Sequence, residues 1–410
     1  MYPKVPNKHR AQILAHFLEC IQKQSTAKAN AASKQALQIN IFTAVLGSLK
    51  SLAESRSDLG DESVRKNTLR LVMDTLCHSN PVLRCAAGEA LGRMTQVVAE
   101  SHFVVELAHA CFEKLKHAQD VTSRTGYALG LGCLHRYVGN MGAGQDMTSS
   151  VSILFGMAQN AASSIVQVWA LHALYLIIDS GGSMFRHYIE PCVEFIVHSV
   201  LSIPCTNRDV YVGLGKLLGS LITYMGPELQ LGDDDTRAAC LTTCAVMQTH
   251  SDAMIKCEAI QCLQEMHLFA AKHVDLKSLV PYLVGSLVSK DFLVRKVAVS
   301  CLRQLCQKEA MEVCVLARRF VEESKPGTMG LLCLVGERGL ECLIFKMIDI
   351  ESNPFLIRDL HDILNSILSS SLSERTLKNW LVLCKDIAIS SDGKRLFVCF
   401  VCDFYSVKLN

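Results

Sequence analysis

Cys399 and Cys402 stand three apart in Cys399-Phe400-Val401-Cys402, the spacing of a redox pair or of half a zinc site. A zinc centre needs a second pair, and none follows. Cys384 lies fifteen residues earlier without a metal-ligand pattern around it. Cys240/Cys244, Cys257/Cys262 and Cys301/Cys306 sit four or five apart on expected helices, where a free thiol packs as a small hydrophobe. Gly213-Leu214-Gly215-Lys216 and Gly139-Asn140-Met141-Gly142-Ala143-Gly144 are glycine-rich, but neither follows a strand or fits a phosphate-loop spacing. The second reads as a loop between repeats. His135, His172 and His187 lie near cysteines or acids, yet no Ser/His/Asp or Cys/His constellation can be assembled from them. The sequence therefore carries no expected catalytic, metal or cofactor-binding residues, and the chain is read as one that works by presenting surface.

The elements behind these residues are helical. In Asn80–Gly92, Asn80 can cap a helix and Pro81 suits its first position. Leu83, Ala86, Ala87, Ala90, Leu91 and Met94 then fall on one apolar stripe at helical spacing. The stripe recurs as Val166, Trp169, Ala170, Ala173, Leu174, Ile177, then as Val210, Gly213, Leu214, Leu217, Leu218, Leu221, and again as Val294, Val297, Ala298, Cys301, Leu302, Leu305. Weaker copies begin near Ser123 and at Ile255, the latter interrupted by Glu258. One slot after each stripe opens lie Arg84, Arg124, Gln167, Tyr211, Lys256 and Arg295, at steps of 40, 43, 44, 45 and 39 residues. That is the length of a HEAT or armadillo repeat.

Each stripe is preceded by a second amphipathic segment: Thr68–Cys77, Val104–Leu115, Val151–Ala158, Ile189–Val200, Cys240–Met247 and Leu279–Val288. Helix, turn, helix is the unit, and only a stack of such units buries its apolar faces. The expected fold class is all-α, an α–α superhelix of HEAT/armadillo type. Glycines within Gly126–Gly132 and Gly213–Gly219 cost helix propensity, and close helix–helix approach is the expected compensation.

Arg or Lys fills the slot in four units, each preceded at four residues by Asn or Asp: Asn80 and Arg84, Asp120 and Arg124, Asp252 and Lys256, Asp291 and Arg295. This resembles the HEAT pattern, and the resemblance implies a structural hydrogen-bonded ladder between neighbouring repeats.

The expected organisation is an N-terminal helical pair over 1–62, six HEAT-like repeats over 63–308, degenerate helical repeats over 309–391 and an apolar tail over 392–410. The first pair reads as Ala11–Ile21 and Ala36–Leu52, joined by a mobile loop over Lys23–Gln35 rich in Ala, Ser and Lys. Gly226–Thr236 reads as an exposed loop. Further helices are expected near Met311–Val321, Leu331–Ile348, Pro354–Leu368 and Glu374–Ile389. The uncharged run Leu396–Val401 has no polar cap after it, so a truncated or alternatively terminated form of something longer is expected.

Composition fits this reading. Half of the 410 residues are hydrophobic, 6% are aromatic and nine are Pro, a mix suited to short packed helices. A net charge of +2, from 41 basic and 39 acidic residues, speaks against nucleic acid as partner. The N-terminal Met1–Arg10 has no apolar core of signal-peptide type. The most apolar long window, Ile165–Ile178, has 14 residues and is broken by Gln167 and His172, where a membrane span needs about 20. With 19 cysteines and no secretory signal, reduced thiols and a cytosolic location are expected.

Three stretches go beyond a generic repeat: Asn80–Gly92, Arg124–Gly139 (RTGYALGLGCLHRYVG) and Ser180–Arg186 (SGGSMFR). With Gly226-Pro227-Glu228-Leu229-Gln230 they resemble the HEAT-repeat-containing protein 5 family of large helical solenoids, over about Pro6 to Ala388. The resemblance implies a central segment of a non-enzymatic scaffold in endosome to trans-Golgi transport. Its implied partners are aftiphilin, gamma-synergin, the Golgi/endosomal clathrin adaptor complex and dynein. Its implied place is the cytoplasm, peripheral at the trans-Golgi network, endosomes and endocytic vesicles. No partner-contact residue carries over from the family. The alternatives are another HEAT scaffold, of phosphatase or nuclear-transport type, or a non-functional truncated isoform.

Overall fold

The computed structural model describes residues 2–26, 30–138, 144–180, 182–204, 206–231, 234–323 and 339–370. Among them there is no strand. The chain divides into two compact units, Met1–Thr243 and Cys244–Asn410. This boundary falls inside the stretch read as six repeats.

The first unit is built of antiparallel helical hairpins. Their first helices are α1 (Asn7–Thr26), α3 (Glu62–Leu76), α5 (Ser101–His117), α7 (Gly144–Gln159) and α9 (Ile189–Ser202). Their second helices are α2 (Ala31–Glu54), α4 (Pro81–Val98), α6 (Val121–Val138), α8 (Ser164–Ser180) and α10 (Arg208–Met225). The second helices stack on one another in chain order, and each first helix packs on its own partner. A short α11 (Glu228–Leu231) follows, and α12 (Asp234–Gln248) carries the unit boundary.

In the second unit, α13 (Ala253–Ala270), α14 (Leu276–Leu287) and α17 (Pro354–Ser370) all pack on α15 (Phe292–Glu323), and α16 (Leu340–Ile350) packs on α17. The long α15 is broken at Glu309, whose φ of −131° and ψ of 34° are not helical. The Glu309 carboxylate lies 3.2 Å from Nε2 of the buried His267 on α13.

The helices begin where the capping residues dictate. Side chains of Asp61, Asn80, Asp120, Asp252, Asp275 and Asp291 each accept a backbone N–H in the first turn that follows. Asn353 does the same for α17 in an Asn353-Pro354 opening that copies Asn80-Pro81. The expected stripes form the core. Leu83, Ala87, Ala90, Leu91 and Met94 are buried, as are Leu214, Leu217, Leu218 and Leu221. Glu258, which breaks the stripe of α13, is buried with it.

Glycines let α6 sit closer to its neighbours than side chains would allow. A Cβ on Gly126 would fall onto the carbonyl oxygen of Leu76, and one on Gly132 would stand 2.8 Å from Cα of Ala173 in α8. Cβ atoms on Gly88 and Gly213 would crowd Leu129 and Leu171 at 2.9 and 3.1 Å.

Several boundaries differ from the sequence reading. Lys23–Gln35 is not a long loop: α1 runs on to Thr26, and α2 starts at Ala31, capped by Asn30. Ala, Lys and Gln are strong helix formers, and that preference prevailed over the loop-like composition. Gly226–Thr236 holds α11 and the start of α12, and Arg237 bonds the Leu229 carbonyl at 2.9 Å across it. The helix expected over Leu331–Ile348 is α16, described from Leu340 to Ile350. Glu374–Ile389, the 392–410 tail and Cys384, Cys399 and Cys402 lie outside the described residues.

One helix among the described residues is long and apolar enough to cross a membrane, and it is α2 rather than Ile165–Ile178. Its Ile41, Phe42, Val45, Leu49 and Leu52 are buried, and it packs against α1 and α4.

Candidate protein-binding surface

The residues singled out at the repeat slot act at the hairpin turns. Arg84 reaches back and donates from one guanidinium nitrogen to the carbonyls of His78 at 2.8 Å and Ser79 at 2.9 Å. Arg295 does the same to Ser289 and Lys290, at 3.0 and 3.1 Å. Gln167 donates from its amide to the Ala158 carbonyl at 2.9 Å. Tyr211 donates from its hydroxyl between the carbonyls of Val200 and Ile203, at 2.9 and 3.0 Å. Each acceptor lies at or just past the end of the preceding helix, where carbonyls lack helical partners. In these four hairpins the slot residue is thus a clamp that closes its own hairpin.

Arg124 and Lys256 make no side-chain hydrogen bond or ion pair among the described residues. None of the eight residues Asn80, Arg84, Asp120, Arg124, Asp252, Lys256, Asp291 and Arg295 makes a side-chain bond to another of them. Arg295 also bonds Glu351, outside its own hairpin, at 3.5 Å.

A stronger knot, absent from the sequence reading, is Arg10. It is only 5% exposed, and it donates to the carbonyls of Val5, Pro3, Asp58 and Leu59 at 2.8 to 3.2 Å. It ties the N-terminal 3-10 turn to the loop after α2.

The cysteines and histidines behave as packing residues. Cys240, Cys244, Cys262, Cys301 and Cys306 are buried thiols. Burial pushes Cys301 and Cys306 up to about 12, far from a reactive thiolate. Burial also pushes His135 down to about 4, so it is neutral, and its Nε2 has no partner. Among the described residues, no three His, Cys, Asp or Glu side chains gather to hold a metal ion.

Three of the stretches singled out in the sequence meet in the first unit. The Ser180 hydroxyl donates to the His135 carbonyl at 3.1 Å, which joins the end of α8 to that of α6. Arg186 pairs with Glu228 at 3.2 Å, and the Phe185 ring, fully buried, lies 6.1 Å from that of Tyr224.

On the stacked second helices beside this junction lies a face of aromatic rings and cations. Tyr137 at the end of α6 has the guanidiniums of Arg93 and Arg136 over its ring, at 5.1 and 5.8 Å. Arg93 also pairs with Glu89 at 2.8 Å, and the Tyr137 hydroxyl donates to the same carboxylate at 3.3 Å. Further along, Trp169 holds Arg84 over its ring at 4.8 Å, and His172 stacks on Tyr175 at 5.8 Å. Trp169 and Tyr175 pack on buried Leu129, Cys133 and Leu176 while keeping partial exposure. Burial first, then the positive charges of Lys216 and Arg136, holds His172 below the usual imidazole range. These two cations stand on α10 and α6, the helices that pack on either side of α8. Both are exposed, and neither has an acidic partner among the described residues. The sequence reading missed this face because Arg93, Arg136 and Lys216 stand on three helices more than forty residues apart in chain.

Comparisons with known proteins agree on the fold. No family model matches the chain. Protein SWEETIE of Arabidopsis thaliana is 22% identical over 94% of the chain, which spans 16% of the length of that relative. Importin β superposes with a TM-score of 0.60 at 13% identity, over 91% of this chain and 44% of its own. The karyopherin Kap121p, in a structure with the extreme C-terminus of the phosphatase Cdc14p, gives a TM-score of 0.54 at 12% identity, over 90% of this chain and 42% of its own. The fold is all-α, that of the HEAT-repeat solenoids of the importin and karyopherin type, in a chain distantly homologous to SWEETIE.

Proposed function

We propose that the chain is a non-enzymatic scaffold segment that binds proteins along its stacked helices and serves transport between endosomes and the trans-Golgi network. The observation that carries a binding role is the aromatic and cationic face on α4, α6, α8 and α10. It keeps charged and ring surface available after the core is complete, and it adjoins no acid/base or metal cluster among the described residues. The trafficking assignment rests on the resemblance of CLHRYVG, SGGSMFR and Gly226–Gln230 to the adaptor-associated solenoids. On this reading the chain is cytoplasmic and peripheral at the trans-Golgi network, endosomes and endocytic vesicles. It sits with aftiphilin, gamma-synergin, the clathrin adaptor complex and dynein. Likeness to karyopherins at 12–13% identity reflects the shared fold, and it does not favour nuclear transport over trafficking.

The test is affinity purification of the tagged chain from cytosol, with mass spectrometry of what accompanies it. Recovery of aftiphilin, gamma-synergin or adaptor subunits supports the trafficking reading. Recovery of the GTPase Ran or a phosphatase catalytic subunit in their place overturns it in favour of another scaffold class.

A further inference from the structure

The geometry points to an acidic peptide segment of a partner protein as the occupant of the face on α6, α8 and α10, held between Arg136 and Lys216. This rests on the scaffold reading and names the chemistry of what that scaffold binds.

The argument is one of charge and shape. Arg136 and Lys216 are exposed cations without acidic partners among the described residues, although the chain as a whole is almost neutral at +2. On α8, the helix between theirs, stand His172 and Tyr175, stacked ring on ring, and Trp169 one turn earlier. Aromatic rings fixed by packing beneath and flanked by cations form a platform for an apolar side chain between carboxylates. Neighbouring helices stand about 8–10 Å apart, so α6 and α10 are about 16–20 Å apart across α8. An extended chain covers that distance in about five or six residues. The fitting segment carries acidic residues at both ends of such a span and an aromatic or aliphatic side chain in the middle.

Two other anionic partners fit less well. Nucleic acid needs a row of cations for its phosphates, whereas Glu89 already neutralises Arg93 at one end of this face. A membrane surface would want protruding aliphatic residues beside the cations. The exposed Val82, Val121 and Ile165 lie in the first turns of α4, α6 and α8, whereas Arg136 lies in the last turn of α6 and Lys216 midway along α10.

The test uses the full chain and a labelled seven-residue peptide with acidic pairs at its ends and phenylalanine at its centre, followed by fluorescence polarisation. We expect saturable binding that weakens with salt. It should fall about two- to thirtyfold in Arg136→Gln/Lys216→Gln, because two exposed ion contacts are lost. A Lys66→Glu/Lys116→Glu variant, altered on exposed lysines of α3 and α5, should bind as the parent does. Bound carboxylates should also raise the His172 pKa, read by NMR against a His172→Phe reference. Equal binding of an all-amide peptide, or indifference to the Arg136/Lys216 variant, would overturn the proposal. So would tighter capture of single-stranded RNA or phosphatidylserine vesicles through the same two residues. If cytosolic partners are still recovered with the Arg136/Lys216 variant, the site is wrong and the scaffold reading stands. If the parent chain recovers none, the scaffold reading itself fails.

Discussion

Replacing glycine by alanine should change sign along this chain, according to what a methyl group would meet. In a helix interior, alanine is favoured over glycine by about 1 kcal/mol. Gly156 on α7 has nothing within 4 Å of an added Cβ, so Gly156→Ala should realise that gain. At Gly130 the nearest atoms are 3.4 and 3.5 Å away, ordinary contact, and the gain should largely survive. At Gly132 the Cβ would stand 2.8 Å from Cα and 3.0 Å from Cβ of Ala173, against about 3.5–4.0 Å for relaxed carbon pairs. α6 and α8 must then separate by several tenths of an ångström, an overpacking cost of about 1–3 kcal/mol. The net effect is a loss of up to about 2 kcal/mol. Gly126→Ala should be worst, because its Cβ falls on the Leu76 carbonyl oxygen and neither backbone can turn aside. Urea unfolding followed by circular dichroism, with α6 and α7 in the same unit, measures the series. The expected order of midpoints is Gly156→Ala, Gly130→Ala, parent, Gly132→Ala, Gly126→Ala. If Gly126→Ala or Gly132→Ala matched Gly156→Ala, the close approach of α6 to α3 and α8 would be refuted.

Tyr211→Phe removes the clamp on Val200 and Ile203 and should cost about 1–3 kcal/mol, seen as a lower melting temperature. His135 has its pKa depressed from 6.5 to about 4, so the unfolded chain binds the extra proton between those values. Its contribution to stability is constant above about pH 7, falls as pH drops below 6.5, and amounts to about 2 kcal/mol lost by pH 5. His135→Gln should flatten the urea midpoint between pH 7 and 5 relative to the parent, and an unchanged slope would contradict this. Iodoacetamide labelling of the native chain, read peptide by peptide, should modify the exposed Cys85 and spare Cys111, Cys240 and Cys301 until the chain is unfolded.

The helices were legible because their signals are local. A stripe such as Val294–Leu305 and a cap such as Asp291 lie within one element and declare its register and start. The role of the glycines in α6 could be anticipated because a propensity penalty at Gly126 and Gly132 needs compensation. The target of the slot residues could not be read. Arg84, Gln167, Tyr211 and Arg295 all bond main-chain carbonyls, and carbonyls leave no mark in a sequence. The ends of α1 and α2 are not marked in the sequence, because Ala, Ser and Lys serve both loops and helices. The aromatic and cationic face was hidden for a different reason. Its parts come from α4, α6, α8 and α10, and only the stacking of second helices brings Arg93, Tyr137, His172 and Lys216 onto one surface.

The turn clamps also bear on how such a chain can vary. In four of the six hairpins the slot holds a hydrogen-bond donor long enough to reach back to the preceding helix end, and guanidinium, carboxamide and phenol all serve there. Substitution among Arg, Gln and Tyr at those four positions therefore leaves the hairpin closed while erasing the residue identity by which repeats are ordinarily counted. Relatives of this chain should diverge fastest to the eye at the place where their architecture changes least, and matching them will depend on aligning turn geometry before aligning letters.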